Sequence, residues 1–102
     1  MAHTVRLEHD AVAQLAAIED YVTDQADQRT ATNFVARILN ACNGLGTFPH
    51  RGRSRDDIRP GLRITGYRRR VTIAFTVDDT TAIVTIVGVF YGGQDWESHL
   101  IQ

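Results

Sequence analysis

Ile83-Val84-Thr85-Ile86-Val87-Gly88-Val89-Phe90-Tyr91 is the stretch on which the fold turns. Rich in β-branched residues and ended by Gly92-Gly93, it reads as one strand. Counting by twos puts Val84, Ile86 and Phe90 on one face and Ile83, Val87, Val89 and Tyr91 on the other. Both faces are apolar, so a central strand with cover on each side is expected.

Outward from this strand, Arg69 to Val77 is a second strand, joined to it through Asp78-Asp79-Thr80-Thr81, a turn that lacks the glycine of the best two-residue hairpins. Leu62 to Tyr67 is a shorter third strand, and Thr4-Val5-Arg6-Leu7-Glu8 alternates like a fourth with one face buried. From about Asp10 the period lengthens. Ala11, Leu15, Ile18 and Val22, with Tyr21 widening the stripe, trace one amphipathic helix; Ala31, Phe34, Val35, Ile38, Leu39, Cys42 and Leu45 trace another, ended by Gly44 and Gly46. The link Thr23 to Asp27 carries capping residues and is short enough to force an antiparallel helical hairpin. Phe48 to Gly61 reads as a connection, with Pro60 disfavouring helix at Arg59. After Gly92-Gly93, Asp95 is placed to cap a short last helix in which Trp96 and Leu100 share a face. The expected class is therefore α+β: an N-terminal strand, an antiparallel helical hairpin packed on one face of a small, mainly antiparallel sheet, and a short C-terminal helix.

With 102 residues, 43% of them hydrophobic, the chain suits a single domain over residues 1–102. Its longest apolar run falls far short of the roughly 18 to 20 residues of a bilayer crossing, so a soluble, unprocessed, cytoplasmic protein without membrane contact is expected. Cys42, the lone cysteine, lies on a helix stripe and reads as core. His3, His9, His50 and His99 are dispersed, so neither a metal nor another cofactor is expected.

Charge is unevenly spread. All eleven basic residues are arginine, and eight of them lie from Arg51 to Arg70 against only Asp56 and Asp57, a local +6; the rest sets three arginines against ten acids, −7. Either an anionic partner covers the basic segment, or its arginines are solvated or paired with the chain's own acids. Arg59 and Arg63, flanking Pro60-Gly61, are equally suited to a partner's acid and to Asp56 and Asp57. Arg68, Arg69 and Arg70 are read as the start of a strand, with alternate side chains on opposite faces and at least one over the concave side. Arg51, Arg53 and Arg55 are expected to stay hydrated until a partner arrives.

These patches together resemble the ParE/RelE superfamily of bacterial toxin-antitoxin toxins, its ParE branch most closely, over nearly the whole chain. The resemblance rests on Ala11, Leu15, Ile18 and Tyr21 in the first helix and Ala31, Phe34, Ile38 and Leu45 in the second. It rests also on Phe48-Pro49-x-x-Gly52-Arg53, Asp57-Ile58-Arg59-Pro60-Gly61-Leu62-Arg63, Arg70-Val71-Thr72-Ile73-Ala74-Phe75 and Val87-Gly88-Val89-Phe90-Tyr91-Gly92. Two departures stand out. Glu8-His9 replaces the Ser-Pro pair that often opens the first helix, and Tyr91-Gly92-Gly93-Gln94-Asp95 replaces a pattern like H-x-R-x-D after the last strand, so any role of that histidine and arginine in relatives does not carry over.

The resemblance implies a toxin neutralised by a ParD-like antitoxin, and, for the ParE branch, a poison of DNA gyrase that blocks replication. The RelE branch implies instead ribosome-dependent cleavage of messenger RNA, and a third possibility is a member that only binds its antitoxin. Cleavage at a 2′-hydroxyl needs a proton acceptor, a proton donor and positive charge by the phosphate. Arginine is a poor proton carrier and lysine is absent, which leaves Tyr91 and His99, with Tyr67 behind them, beside Arg70. Against that role, Tyr91 at a strand end reads as closing the core and His99 in a terminal helix as facing solvent. No firm catalytic set emerges, and nucleic acid enters only through that runner-up. Under the leading expectation, a non-catalytic binder, Arg53, Arg59, Arg63, Arg68, Arg70, Tyr91 and Gln94 are the candidate contacts for antitoxin or target.

Overall fold

The structure is a computed structural model and describes residues 2–101. β1 (Thr4–Leu7) leads into α1 (His9–Gln25) and α2 (Gln28–Gly44), which form the helical hairpin. Asp27 caps α2 by accepting the Thr30 N–H at 2.7 Å, and these hydrogen bonds hold its carboxyl below the usual range. Four strands follow: β2 (Arg53–Ser54), β3 (Leu62–Tyr67), β4 (Val71–Asp78) and β5 (Ile83–Tyr91). α3 (Trp96–Leu100) closes the fold, its N-terminus capped by Asp95.

The sheet order is β1-β5-β4-β3-β2, with β1 parallel to β5 and every other pair antiparallel. β5 is thus an interior strand, as its two apolar faces require. The hairpin packs Ala11, Leu15, Ile18, Ile38, Cys42 and Leu45 onto Val71, Ile73, Phe75, Val84, Ile86 and Val89. A second, smaller core lies on the opposite face, where Leu62, Ile64, Ala74, Val87 and Phe90 meet Leu100, with Trp96 and Ile58 at its margin. The two long helices cover one face of the sheet and α3 covers the other.

Three expectations need correction. First, the face assignment along β5 breaks midway. The β4–β5 register steps from Ala74↔Gly88 to Phe75↔Ile86, so Val87 has no partner and forms a bulge. Beyond it the alternation is inverted: Val89 joins Val84 and Ile86 under the helices, while Phe90 joins Val87 on the far side. Gly88 occupies the bulge because a Cβ there would lie 2.6 Å from Cε2 of the buried Phe90 ring. Second, the connection before Pro60 contains β2, two residues paired with Ile64 and Arg63. Gly52 leads into it at φ +78°, where a Cβ would meet the Ile64 carbonyl oxygen at 2.2 Å. Third, Arg68 to Arg70 do not begin β4. They form the β3–β4 turn, with the Arg70 N–H donating to the Tyr67 carbonyl at 3.3 Å and positive φ at Arg68 (51°) and Arg69 (62°). The turn has three residues between the closing pair Tyr67↔Val71, and its first two hold the left-handed conformation usually left to glycine and asparagine.

Candidate functional site

The end of β5 is where the fold leaves backbone to be completed by side chains. β1 stops at Leu7, opposite Ile86, and the Glu8 N–H donates to the Ile86 carbonyl at 2.9 Å as the chain turns into α1. Beyond that point, among the described residues, no strand pairs with the outer side of β5. The Val89 N–H donates instead to Oε1 of Gln14 from α1 at 2.7 Å, and the Tyr91 N–H to Oε1 of Gln94 at 2.8 Å. Two glutamine amides thus supply the acceptors that a further strand would offer.

Between α1 and this edge runs a groove of about 390 Å³ lined by Gln14, Ala17, Ile18, Tyr21, Tyr91 and the Gly92-Gly93-Gln94 segment. The surface within it is mostly apolar. Tyr91 forms its aromatic wall, its ring centroid 5.7 Å from that of Tyr21 and 5.6 Å from that of Phe34. Tyr21, although on the helix stripe, keeps 53% of its surface exposed. Gln14 and Tyr21 were not among the sequence-derived candidates. The available signal was an amide on a helix face otherwise built from Ala17, Ile18 and Tyr21 at offsets of three, four and seven.

The arginines divide by what they touch. Arg70 sits beside the groove, since its carbonyl accepts the Gly92 N–H at 2.7 Å. Arg68 and Arg69 form the adjoining turn, and the Arg68 guanidinium lies 5.7 Å from the Tyr67 ring centroid. Arg63 faces inward on the loop before β2: it donates to the carbonyls of His50 (2.6 Å), Arg51 (3.3 Å) and Gly52 (3.4 Å). Arg53 lines a shallow depression with Gly66, Thr72 and Trp96, remote from the groove in the contacts it makes. Arg59 is half-buried, and its Nε is shielded without a hydrogen-bond partner among the described residues.

Self-pairing of the basic segment occurs, but through Arg55 rather than Arg59 or Arg63. Arg55 binds both oxygens of Asp57 at 2.9 Å, reaches Glu97 of α3 at 2.9 Å and lies over the Trp96 ring. The expectation that Arg55 waits hydrated is therefore wrong. Its pairing with Asp57, then Glu97, holds the guanidinium still more firmly protonated. Asp56 accepts from the Gly61 N–H and from Ser54 Oγ, both at 2.8 Å, and these bonds, the first above all, lower its pKa. Among the described residues Arg55 is the one arginine in an ion pair, so Arg68, Arg69 and Arg70, all exposed, have no internal counter-charge.

Tyr91 and His99 stand on opposite sides of the sheet. Tyr91 packs against the helical-hairpin core, whereas the His99 ring lies 5.6 Å from Phe90 on the α3 side. Among the described residues no group of three histidines, cysteines or acids is arranged to hold a metal, and no helix is long and apolar enough to cross a membrane.

Comparison with known proteins agrees with this architecture. No curated protein sequence gives a significant match. Among solved structures, the chain is similar to the chromosomal ParDE toxin-antitoxin system of P. aeruginosa, with TM-score 0.76 and 21% identity over 89% of this chain and 97% of that one. It is similar also to the RelBE2 toxin-antitoxin complex of Mycobacterium tuberculosis (TM-score 0.65, 17% identity, 89% and 99% covered). A free, doubly substituted E. coli toxin RelE shares the fold as well (TM-score 0.68, 12% identity, 98% and 94% covered). At such identities these likenesses speak for the fold. The family profile described as the ParE toxin of the type II toxin-antitoxin system parDE matches residues 5–96, and with that span the chain belongs to the ParE toxin family.

Proposed function

We propose that this chain is a toxin that acts by binding, that its target is DNA gyrase, and that an acidic, amphipathic antitoxin segment neutralises it by seating in the Tyr21–Tyr91 groove. The groove carries the reading. It joins an apolar floor, a β5 edge held by two replaceable glutamine acceptors, and the exposed Arg70 beside Gly92. An apolar face with a basic margin suits an amphipathic acidic segment, and backbone N–H groups now capped by side chains suit an extended one. The solved ParDE and RelBE2 systems, each containing an antitoxin, support the same assignment of partner. The expected compartment is the cytoplasm, where replication takes place.

A binding role is supported over ribonuclease chemistry by the separation of the two proton carriers. With Tyr91 under the helical hairpin and His99 beyond the sheet, one scissile phosphate does not reach both. The test is induced expression of the chain and of Tyr91→Phe, which keeps the ring packing and removes the phenolic proton. Both are expected to arrest growth with a DNA-damage response and to inhibit supercoiling by purified gyrase. Codon-linked transcript cuts, abolished by Tyr91→Phe, would replace this reading with the nuclease one, and harmless expression would leave antitoxin binding as the function.

A further inference from the structure

The β3–β4 turn is built at a cost that its fold does not require. Arg68 and Arg69 both occupy the left-handed region, at φ 51° and 62°, where a Cβ is disfavoured and where glycine or asparagine is usual. Nothing inside the molecule compensates their charge: both side chains are exposed, and neither makes an ion pair among the described residues. The turn joins β3 and β4, whose register runs regularly from Tyr67↔Val71 to Leu62↔Thr76, β5 lies beside β4 as far as Val71↔Tyr91, and the Gly92 N–H donating to the Arg70 carbonyl ties the base of the turn to the sheet. Strained backbone that presents unpaired charge from a firm base marks a place selected for contact.

We propose that this hairpin tip contacts the phosphodiester backbone of duplex DNA, with Arg68 and Arg69 each engaging a phosphate. Three features favour this polyanion. Guanidinium forks match phosphate oxygens bidentately. The arginines stand on an exposed turn rather than along a groove, so they suit a surface that comes to them. Single-stranded nucleic acid is recognised by aromatic faces on which bases stack, and Tyr67, the ring at the start of this turn, already has the Arg68 guanidinium 5.7 Å from its centroid. The contact is independent of the antitoxin groove, since it uses neither Tyr91 nor Arg70.

The decisive variant is Arg68→Asn with Arg69→Gly. It removes both guanidinia and relieves the backbone, so it is expected to raise thermal stability while lowering affinity, opposite signs that separate binding from folding. Binding of the purified full chain to a labelled duplex of about 20 base pairs is measured by fluorescence anisotropy across a salt series. Each phosphate contact contributes about 0.9 to the slope of log K against log salt, so the double variant should flatten the slope by about 1.8 and weaken binding roughly 60-fold near 0.1 M salt. Arg68→Gln with Arg69→Gln, which keeps side chains at both positions, should show the same loss. Removing two exposed charges from α2 by Arg29→Gln with Arg37→Gln should leave the slope unchanged.

Equal affinity and slope in the turn variants, or no duplex binding by the parent near 50 mM salt, overturns the proposal. So does tighter binding to single-stranded RNA of the same length, or equal binding to a polyglutamate peptide, which would assign the tip to RNA or to an acidic protein. An antitoxin complex unchanged by these substitutions keeps this outcome separate from that of the groove.

Discussion

Replacing Gln14 by alanine tests whether the open edge of β5 is held by a side chain from α1. The substitution removes the acceptor of the Val89 N–H, which lies in a partly buried position at 2.7 Å from Gln14 Oε1. Leaving such a donor without a partner costs about 1–3 kcal/mol, and the higher helix propensity of alanine returns a few tenths. Water entering the groove compensates part of the rest, which places the net loss at about 1–2 kcal/mol. For a domain of this size that lowers the thermal midpoint by roughly 5 to 15 °C. Chemical denaturation gives the free energy, and amide exchange gives the location. Val89 should lose protection selectively, while Ile73, its neighbour on β4, stays protected. Gln14→Glu, which retains an oxygen acceptor, should recover most of the loss. A Gln14→Ala protein within about 0.3 kcal/mol of the parent and with Val89 still protected would refute the idea that α1 completes this edge.

Arg63→Ala should destabilise by about 1–2 kcal/mol, less than a fully buried charged donor because the side chain is partly exposed, and should increase proteolysis near His50 to Gly52; a neutral effect on both would show that its three carbonyl contacts are incidental. Cys42, fully buried with its thiol pushed up to about 11 by burial, should react with a disulfide reagent only on unfolding, so rapid labelling of the native chain near pH 8 would contradict its place in the core. Asp79 has its pKa lowered chiefly by the His3 hydrogen bond at 2.9 Å, with His50 adding at 3.3 Å. A depressed folded value means stabilisation present above the ordinary carboxylate range and lost as pH falls through that folded value, so Asp79→Asn should flatten the acid limb of the stability curve below about pH 4; parallel limbs would deny the link.

Much of the fold is legible from periodicity because helix stripes and strand alternation report which face is buried. Ala11, Leu15 and Ile18, and Ala31, Ile38 and Cys42, all end in the core. What periodicity does not carry is an inserted residue. Val87 shifts the phase of Phe90 and Tyr91, and the one local sign of it was a glycine inside an otherwise β-branched strand. The arginine turn escaped for a related reason. Hairpin turns are read from glycine and asparagine, and here arginine holds the positive-φ positions, so chemistry that looked like a strand start was the turn itself. The candidate groove was half visible: Tyr91 and Gln94 stand at the strand end, whereas Gln14 and Tyr21 reach it only through the packing of α1. Arg55 found its second acid, Glu97, 42 residues away, a pairing to which local charge patterns are blind.

The parallel pairing of β1 with β5 has a consequence for the order in which the chain matures. Thr4 to Leu7 are synthesised well before their partners, Ile83 to Ile86. The helical hairpin can form as soon as residues 9–44 are free, but the strands it must cover, β4 and β5, are not yet made. β1 therefore waits for its partner until Ile83 to Ile86 have left the ribosome. The groove beside α1, which needs both Gln14 and the end of β5, is assembled last. A nascent chain that stops short of Tyr91 lacks this groove, so any binding there can begin only once β5 is made.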